Sequence, residues 1–306
     1  MAVKSGIFAG LATGVQVGAA IFGSQFVVGD VGIGLLGVLR YGIALLFLLP
    51  LLVLRPTPRI ARKDWAPAML LGLGQIGVMI SLLNTAVLFT SAARVALIFA
   101  TLPAASLLID LLRGRDRTGW YATLGVGLTI AGVATLVGYD AVTGTVSQSD
   151  IIGMGAALAA TLVVAVCSSW YQPLVKRYGA VKISVIAFTV SMPLLGLLAV
   201  LFPSQAAFID WSPSIRWLVL AIGLSSGVGY LLWFHAIENL PPTMVTGFLA
   251  LSPITATVLS LFGAHTELAP SVGWALLLVC AGIACFALGN RNPKARAASV
   301  NPVAES

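Results

Sequence analysis

Several side chains in this sequence stand in surroundings that disfavour them, which makes them the places to look for chemistry. Arg40 lies about nine residues into a long apolar stretch. At 1.5 Å per residue, that puts a guanidinium roughly 14 Å deep, where a cation costs about 2.5–3.5 kcal/mol to insert. It can be held by carbonyls or by an acid near the outer mouth, such as Asp30, or it can serve as counter-charge to a carboxylate or phosphate on a solute. Arg94 lies nearer a helix end and can extend its head to the interface. Gln16 and Asn84 bring amides into other apolar stretches, where they would hydrogen-bond a solute or a neighbouring helix. Tyr230 and Trp233, one turn apart, could stack on a ring or pack an apolar portion of a ligand. Trp170, beside Tyr171, suits either that role or the aromatic belt at a membrane interface.

Pro103 and Pro253 each fall midway along an apolar stretch and leave a carbonyl without its partner. Such breaks hold polar solutes in some membrane proteins and are plain packing kinks in others. His235 and Glu238, at i and i+3, share one helical face. The pair could pass a proton near neutral pH, or form a polar cluster at the interface, just as Asp110 could pair with Arg113. No carboxylate falls clearly at mid-membrane depth, so coupling through a fixed central acid is not supported. Small and polar stripes recur at helical spacing: Thr13, Gln16, Ala20 and Ser24; Thr161, Ala165, Ser168 and Gln172. Opposite the first of them runs a glycine ridge at Gly6, Gly10, Gly14 and Gly18, which permits close helix contact.

Other chemistries find little. Cys167, Cys280 and Cys285 all fall within apolar stretches, against a disulfide framework or a zinc site. H-E-x-x-H, G-x-S-x-G and phosphate-loop motifs are absent, and neither a metal nor a cofactor is expected. Tyr139-Asp140 and Gly29-Asp30 resemble the dipeptides of intramembrane aspartyl proteases, the alternative of another class. Both acids, however, fall at the outer boundary, and Val27 replaces a glycine of the second motif. A channel is a further alternative, without a charge ring or filter sequence to carry it.

The elements that position these residues follow from composition. Of 306 residues 59% are hydrophobic and only 9% charged, and the mean hydropathy is +1.02. A soluble domain carries about 25% charged residues, so the chain belongs in a membrane. A bilayer core about 30 Å thick asks for runs of roughly 20 apolar residues. Ten are legible, at 5–28, 31–54, 66–88, 92–112, 118–138, 151–172, 180–202, 214–237, 242–263 and 271–289. Runs of this length without period-2 alternation form helices. The first is kept as a helix rather than a cleaved leader, since it is too long for one and lacks an A-x-A site.

Every basic residue except Arg40, Arg94 and Arg216 then falls on one side, together with both termini. The positive-inside rule makes that side cytoplasmic. The net charge of +7 is therefore a topology signal rather than a nucleic-acid footprint. The expected partners are a small-molecule substrate and the lipid bilayer, with the protein a monomer or a homodimer.

Aligned with itself at an offset of 150, the chain pairs Gly77 with Gly227, Ala86 with Ala236, Val95 with Val245, Pro103 with Pro253 and Gly132 with Gly282. It divides into residues 1–145 and 146–290, five helices each, with a cytoplasmic tail at 291–306. Five is odd, so the second unit enters the membrane in the opposite sense. The expected fold is an all-α integral membrane protein of ten transmembrane helices in two inverted repeats.

On these residues the chain resembles the EamA-type family of the drug/metabolite transporter superfamily. The resemblance rests on ALIFATLPAASLLID (96–110), FLALSPITATVLSLF (248–262), GYLLWFHAIENLPPTMV (229–245), LRYGIALLFL (39–48) and the closing helices at 124–136 and 273–286. It spans nearly the whole chain, and Arg40 is similar to an arginine the family often has. One departure is that the family commonly places Glu after the proline helix; Glu267 fits in the second half, whereas the first offers only Asp116 among arginines. The resemblance implies secondary transport of a small metabolite such as an amino acid, often export across the plasma (inner) membrane, with no bound cofactor. It leaves the substrate open.

Overall fold

The computed structural model describes residues 2–54, 58–112, 120–142, 147–204, 207–240, 242–249, 251–263 and 270–289. The tail at 291–306 and the side chains of Asp110, Arg113, Asp116, Asp140 and Glu267 lie outside the described residues. In chain order the helices are α1 (Ala2–Val31), α2 (Ile33–Leu54), α3 (Arg62–Phe89), α4 (Ala92–Phe99), α5 (Leu102–Leu112), α6 (Trp120–Val142), α7 (Gln148–Tyr178), α8 (Ala180–Leu201), α9 (Pro213–Asn239), α10 (Pro242–Phe248), α11 (Leu251–Gly263) and α12 (Pro270–Gly289).

Among the described residues, eight helical rods are long and apolar enough to cross a membrane: α1, α2, α3, α4 with α5, α7, α8, α9, and α10 with α11. α6 and α12 contain shorter apolar segments, Leu124–Thr135 and Ser271–Gly282. Large apolar side chains such as Phe8, Leu46, Val53, Leu112, Val200, Trp217 and Phe262 stand more than half exposed around the outside. Water would not tolerate so much apolar surface, whereas lipid would.

Local chemistry sets the rod ends. Ser147 and Asp150 form a reciprocal capping box at the start of α7. Gly179, at φ 82°, turns α7 into α8 with a left-handed backbone that a side chain would strain. Ser91 caps α4 by accepting from the Arg94 amide. Within α3, a wider π-helical turn covers Leu73–Val78. The fourth and ninth runs, expected as continuous helices, are each broken. α4 ends at Phe99 and α5 begins at Leu102; α10 ends at Phe248 and α11 begins at Leu251. In both cases the break lies just before the proline, which therefore sits in the first turn of the following helix, where its missing N–H costs little.

Polar contacts define two ends of the bundle. At one, the Arg177 Nη1 and the Tyr178 hydroxyl both donate to Asp64, at 2.8 and 2.6 Å, Lys182 donates to the Pro58 carbonyl, and Ser5 meets His235. At the other, Arg94 and Thr90 both donate to Asp150 at 2.7 Å, Gln25 accepts from the Ala92 amide, and Asn84 donates to the Ile33 carbonyl.

Packing partners come in matched sets. α1 lies against α9, and α3 against α7; α2 lies against α8; α6 and α12 lie against each other over the most extensive interface of the structure. α1 also runs along α11, and α7 along α5 and α4. Glycines make these approaches possible. A Cβ on Gly132 would stand 2.9 Å from the Ala275 carbonyl oxygen, and one on Gly282 would stand 2.6 Å from the Gly125 carbonyl oxygen. The glycine ridge of α1 is fitted to the α10–α11 break: a Cβ on Gly14 would collide with the Phe248 carbonyl oxygen and one on Gly18 with that of Ser252. Gly42, by contrast, faces open space. Gly14→Ala is therefore expected to lower stability by about 1–3 kcal/mol through overpacking, and Gly42→Ala to leave it unchanged or slightly raised. Thermal unfolding of the two purified variants in detergent checks the contrast.

Candidate functional site

A cavity of about 630 Å³ of atom-free space, counted out to its mouth, opens inside the bundle. α1 contributes Thr13, Gln16, Val17, Ile21 and Ser24, while α2 contributes Arg40 and Tyr41. The largest share, from Gln75 to Asn84 and Val87, comes from α3, facing Gly229, Tyr230 and Trp233 of α9. Phe99 and Leu249, one at each helix break, complete the lining with Val164 of α7. Because the α1 and α3 residues run toward the ends of those helices that carry Ser24 and Val87, the cavity occupies the middle and the half near the Arg94–Asp150 contact.

Most hydroxyls here are already satisfied. Thr13 donates to the Ala9 carbonyl at 2.8 Å and Ser24 to that of Ala20 at 2.7 Å, each one turn back along its own helix. Asn84 spends a donor on Ile33, and Gln16 donates to the Ser225 hydroxyl at 3.3 Å. The Tyr230 hydroxyl reaches the Gln75 carbonyl at 3.4 Å. Three buried atoms in the lining lack any partner among the described residues, the Tyr41 hydroxyl, the Gln75 Oε1 and the Trp233 Nε1. Unpaired atoms on Ser106, Tyr171, Ser184, Ser252 and Thr257 are not part of this lining.

Among the described residues, Arg40 is the one cation of the cavity wall. It is 7% exposed, its Nε donates to the Ser226 hydroxyl at 2.6 Å, and that hydroxyl in turn donates to the Ile222 carbonyl. Its guanidinium carbon lies 5.5 Å from the centre of the Tyr41 ring. Among the described residues no carboxylate pairs with it. The expected partner Asp30 is exposed at the end of α1. Tyr41 belongs to an aromatic group with Phe188 and Tyr230, at centroid separations of 5.0 and 5.9 Å.

The structure thus gathers Gln16, Arg40, Asn84, Tyr230 and Trp233 around one space and leaves other candidates outside it. Trp170 is 56% exposed on the outer surface, while its neighbour Tyr171 turns fully inward. One step along a helix rotates a side chain by about 100°, and the sequence offered no way to tell which of the two faced the bundle. Pro103 and Pro253 are buried but do not reach the cavity. Pro103 instead borders a small void beside Thr129, Gly247 and Gly282. The residues that do reach it, Phe99 and Leu249, precede each proline by four.

His235 and Glu238 lie near the Asp64 end, His235 within reach of Ser5 and Asn239, and neither lines the cavity. The α7 stripe serves packing: Thr161 and Ser168 bond back along their own helix, and Gln172 donates to the Ile237 and Leu240 carbonyls. Arg94, free to reach the interface, is instead held by Asp150. Sequence reasoning passed over Tyr41, Gln75 and Ser226. The first sits inside the quoted segment 39–48, so its place beside Arg40 was the available signal; Gln75 had only its polarity in an apolar run.

A buried cation that meets one hydroxyl and one ring face but no counter-ion recovers little of its desolvation cost. Arg40→Met is accordingly expected to match or exceed the wild-type melting temperature in detergent, and a fall equivalent to more than about 2 kcal/mol would show that the guanidinium holds the helices together.

The comparisons with known proteins agree with this architecture. The chain matches the EamA-like transporter family over residues 4–138 and again over 151–288. No curated protein matches it. One solved protein, described only as the crystal structure of a protein, is similar with a TM-score of 0.71 at 18% identity, over 94% of this chain and 99% of its own; at that identity it speaks for the fold alone. Two family matches on a bundle of membrane-length apolar helices lead to one conclusion: this chain is a multi-pass membrane protein belonging to the EamA-like transporter family.

Proposed function

We propose that the protein is a ten-helix secondary transporter that exports a small metabolite, an amino acid or a related compound, across the plasma (inner) membrane by alternating access. The carrying observation is the central cavity, whose wall is drawn from α1, α2 and α3 on one side and α7, α9 and the α10–α11 break on the other. It is mostly apolar, with a few convergent polar groups, as small-molecule sites are.

Two inverted units, 1–145 and 146–290, are supported by the exchange of packing partners. Each helix of the first five keeps its neighbours when replaced by its counterpart in the second five: α1 with α9 becomes α7 with α3, and α2 with α8 and α6 with α12 return themselves. Phe99 and Leu249, at the breaks, are related by the offset of 150 found in the sequence. In such repeats the rocking of one unit against the other exposes a midplane site to each side in turn. The polar contacts at both ends join residues from different units, Asp64 with Arg177 and Arg94 with Asp150, so either set could part while the other holds.

Direction of export follows the habit of the family. The side with both termini is assigned to the cytoplasm by the basic residues clustered there. Among the described lining residues no carboxylate is available to act as a nucleophile or general base, which favours a carrier over an enzyme.

Metabolite profiling of cells and medium, with and without overexpression, tests the transport reading: at least one solute should accumulate outside. Once that solute is known, Gln16→Ala and Tyr230→Ala should each weaken its apparent affinity by about tenfold, as expected for lost polar and aromatic contacts. Unchanged affinity in both would remove the cavity as the binding site. Topology is checked separately with cysteines at positions 60, 180 and 147 and an impermeant thiol reagent: Ile60→Cys and Ala180→Cys should react from one side, and Ser147→Cys from the other.

A further inference from the structure

We infer that the solute of this cavity is an organic anion, with its carboxylate or phosphate oxyanion on Arg40 and an apolar or aromatic body against Tyr41, Phe99, Tyr230 and Trp233. The inference rests on the transport reading and sharpens it. Arg40 uses its Nε on Ser226, and its two terminal nitrogens make no hydrogen bond to a described residue. Those nitrogens carry a parallel pair of donors that matches an oxyanion in fork geometry. Ser226, braced by Ile222, fixes the guanidinium from behind and leaves that edge free.

Charge balance points the same way. Among the described residues the lining contains Arg40 but no Asp, Glu, Lys or His, so the cavity wall carries a positive charge without a counter-ion in low-dielectric surroundings. A buried charge of this kind is retained against its desolvation cost where something offsets it; here the Ser226 hydroxyl and the Tyr41 ring offset only part of it, and no described carboxylate supplies the rest. An incoming anion would. A cationic solute would meet repulsion with no acid to overcome it. The remaining wall sets the rest of the molecule. Aromatic and branched apolar surface covers most of it, while Gln75 Oε1, an acceptor, and Trp233 Nε1, a donor, stand unpaired to receive one or two further polar groups.

The test uses ligands that share a phenyl ring and differ in charge, added to the purified full chain in nanodiscs, with thermal shift and tryptophan fluorescence as readouts. Phenylacetate and phenyl phosphate should bind at least about tenfold more tightly than phenethylamine or 2-phenylethanol, the factor of one charge-assisted hydrogen bond; which anion prevails separates a carboxylate from a phosphate site. The comparison needs no variant, and so survives any folding defect. Arg40→Met should abolish the preference between charges, and Arg40→Lys should keep part of it.

Equal binding of the amine or the alcohol, or anion binding that persists in Arg40→Met, would overturn the assignment. In the profiling experiment, the exported solutes should carry a carboxylate or phosphate, and their export should be lost in Arg40→Met. Export of solutes without a carboxylate or phosphate, unaffected by that substitution, would refute the oxyanion site while leaving transport intact. Export of nothing would remove the transport reading itself.

Discussion

In a solvent that offers no hydrogen bonds, every polar group must find its partner inside the protein, and the architecture follows from that requirement. It rules out open sheet edges and makes each crossing a helix. It also explains the behaviour of the small hydroxylated residues, which fold back on their own helices: Thr161 on Ala157, Ser168 on Val164, Ser191 on Ala187, Ser260 on Ala256. Such residues permit close packing without leaving a polar atom exposed to lipid. Once they are accounted for, the side chains with unspent capacity along the cavity wall are few, and Arg40, Gln75 and Trp233 are among them.

The same requirement sorts what sequence could reveal from what it could not. Length and hydrophobicity located the helical rods, because lipid thickness imposes a length that apolar runs must meet. The offset of 150 was legible because Gly132 and Gly282 are held by a close backbone approach that admits no side chain, so the same residue stands at both positions. The neighbours of a helix were less accessible. Gln16 and Trp170 are both polar-tipped side chains in apolar runs, yet one lines the cavity and the other faces outward. A membrane helix is apolar on all sides, so its pattern carries little rotational information.

The prolines illustrate a related difficulty. Read as mid-helix residues, they imply freed carbonyls at their own level. The chain instead stops each helix before the proline and restarts with it in the first turn, which moves the irregular backbone to Ala100–Thr101 and to the region of Leu249. The glycine ridge of α1 is fitted to the second of these breaks, so the two features interlock. Neither could be understood from its own segment, since each makes sense only across the interface.

Gly229 carries a consequence of its own. A Cβ there would run into the side-chain oxygen of Gln16, so the missing methyl is what lets that amide lie back against α9 at the cavity wall. A single added carbon would tip the amide forward and narrow the cavity. Bore is thus decided by the smallest residue on the wall, at a point where it can change without disturbing the Arg40–Ser226 contact.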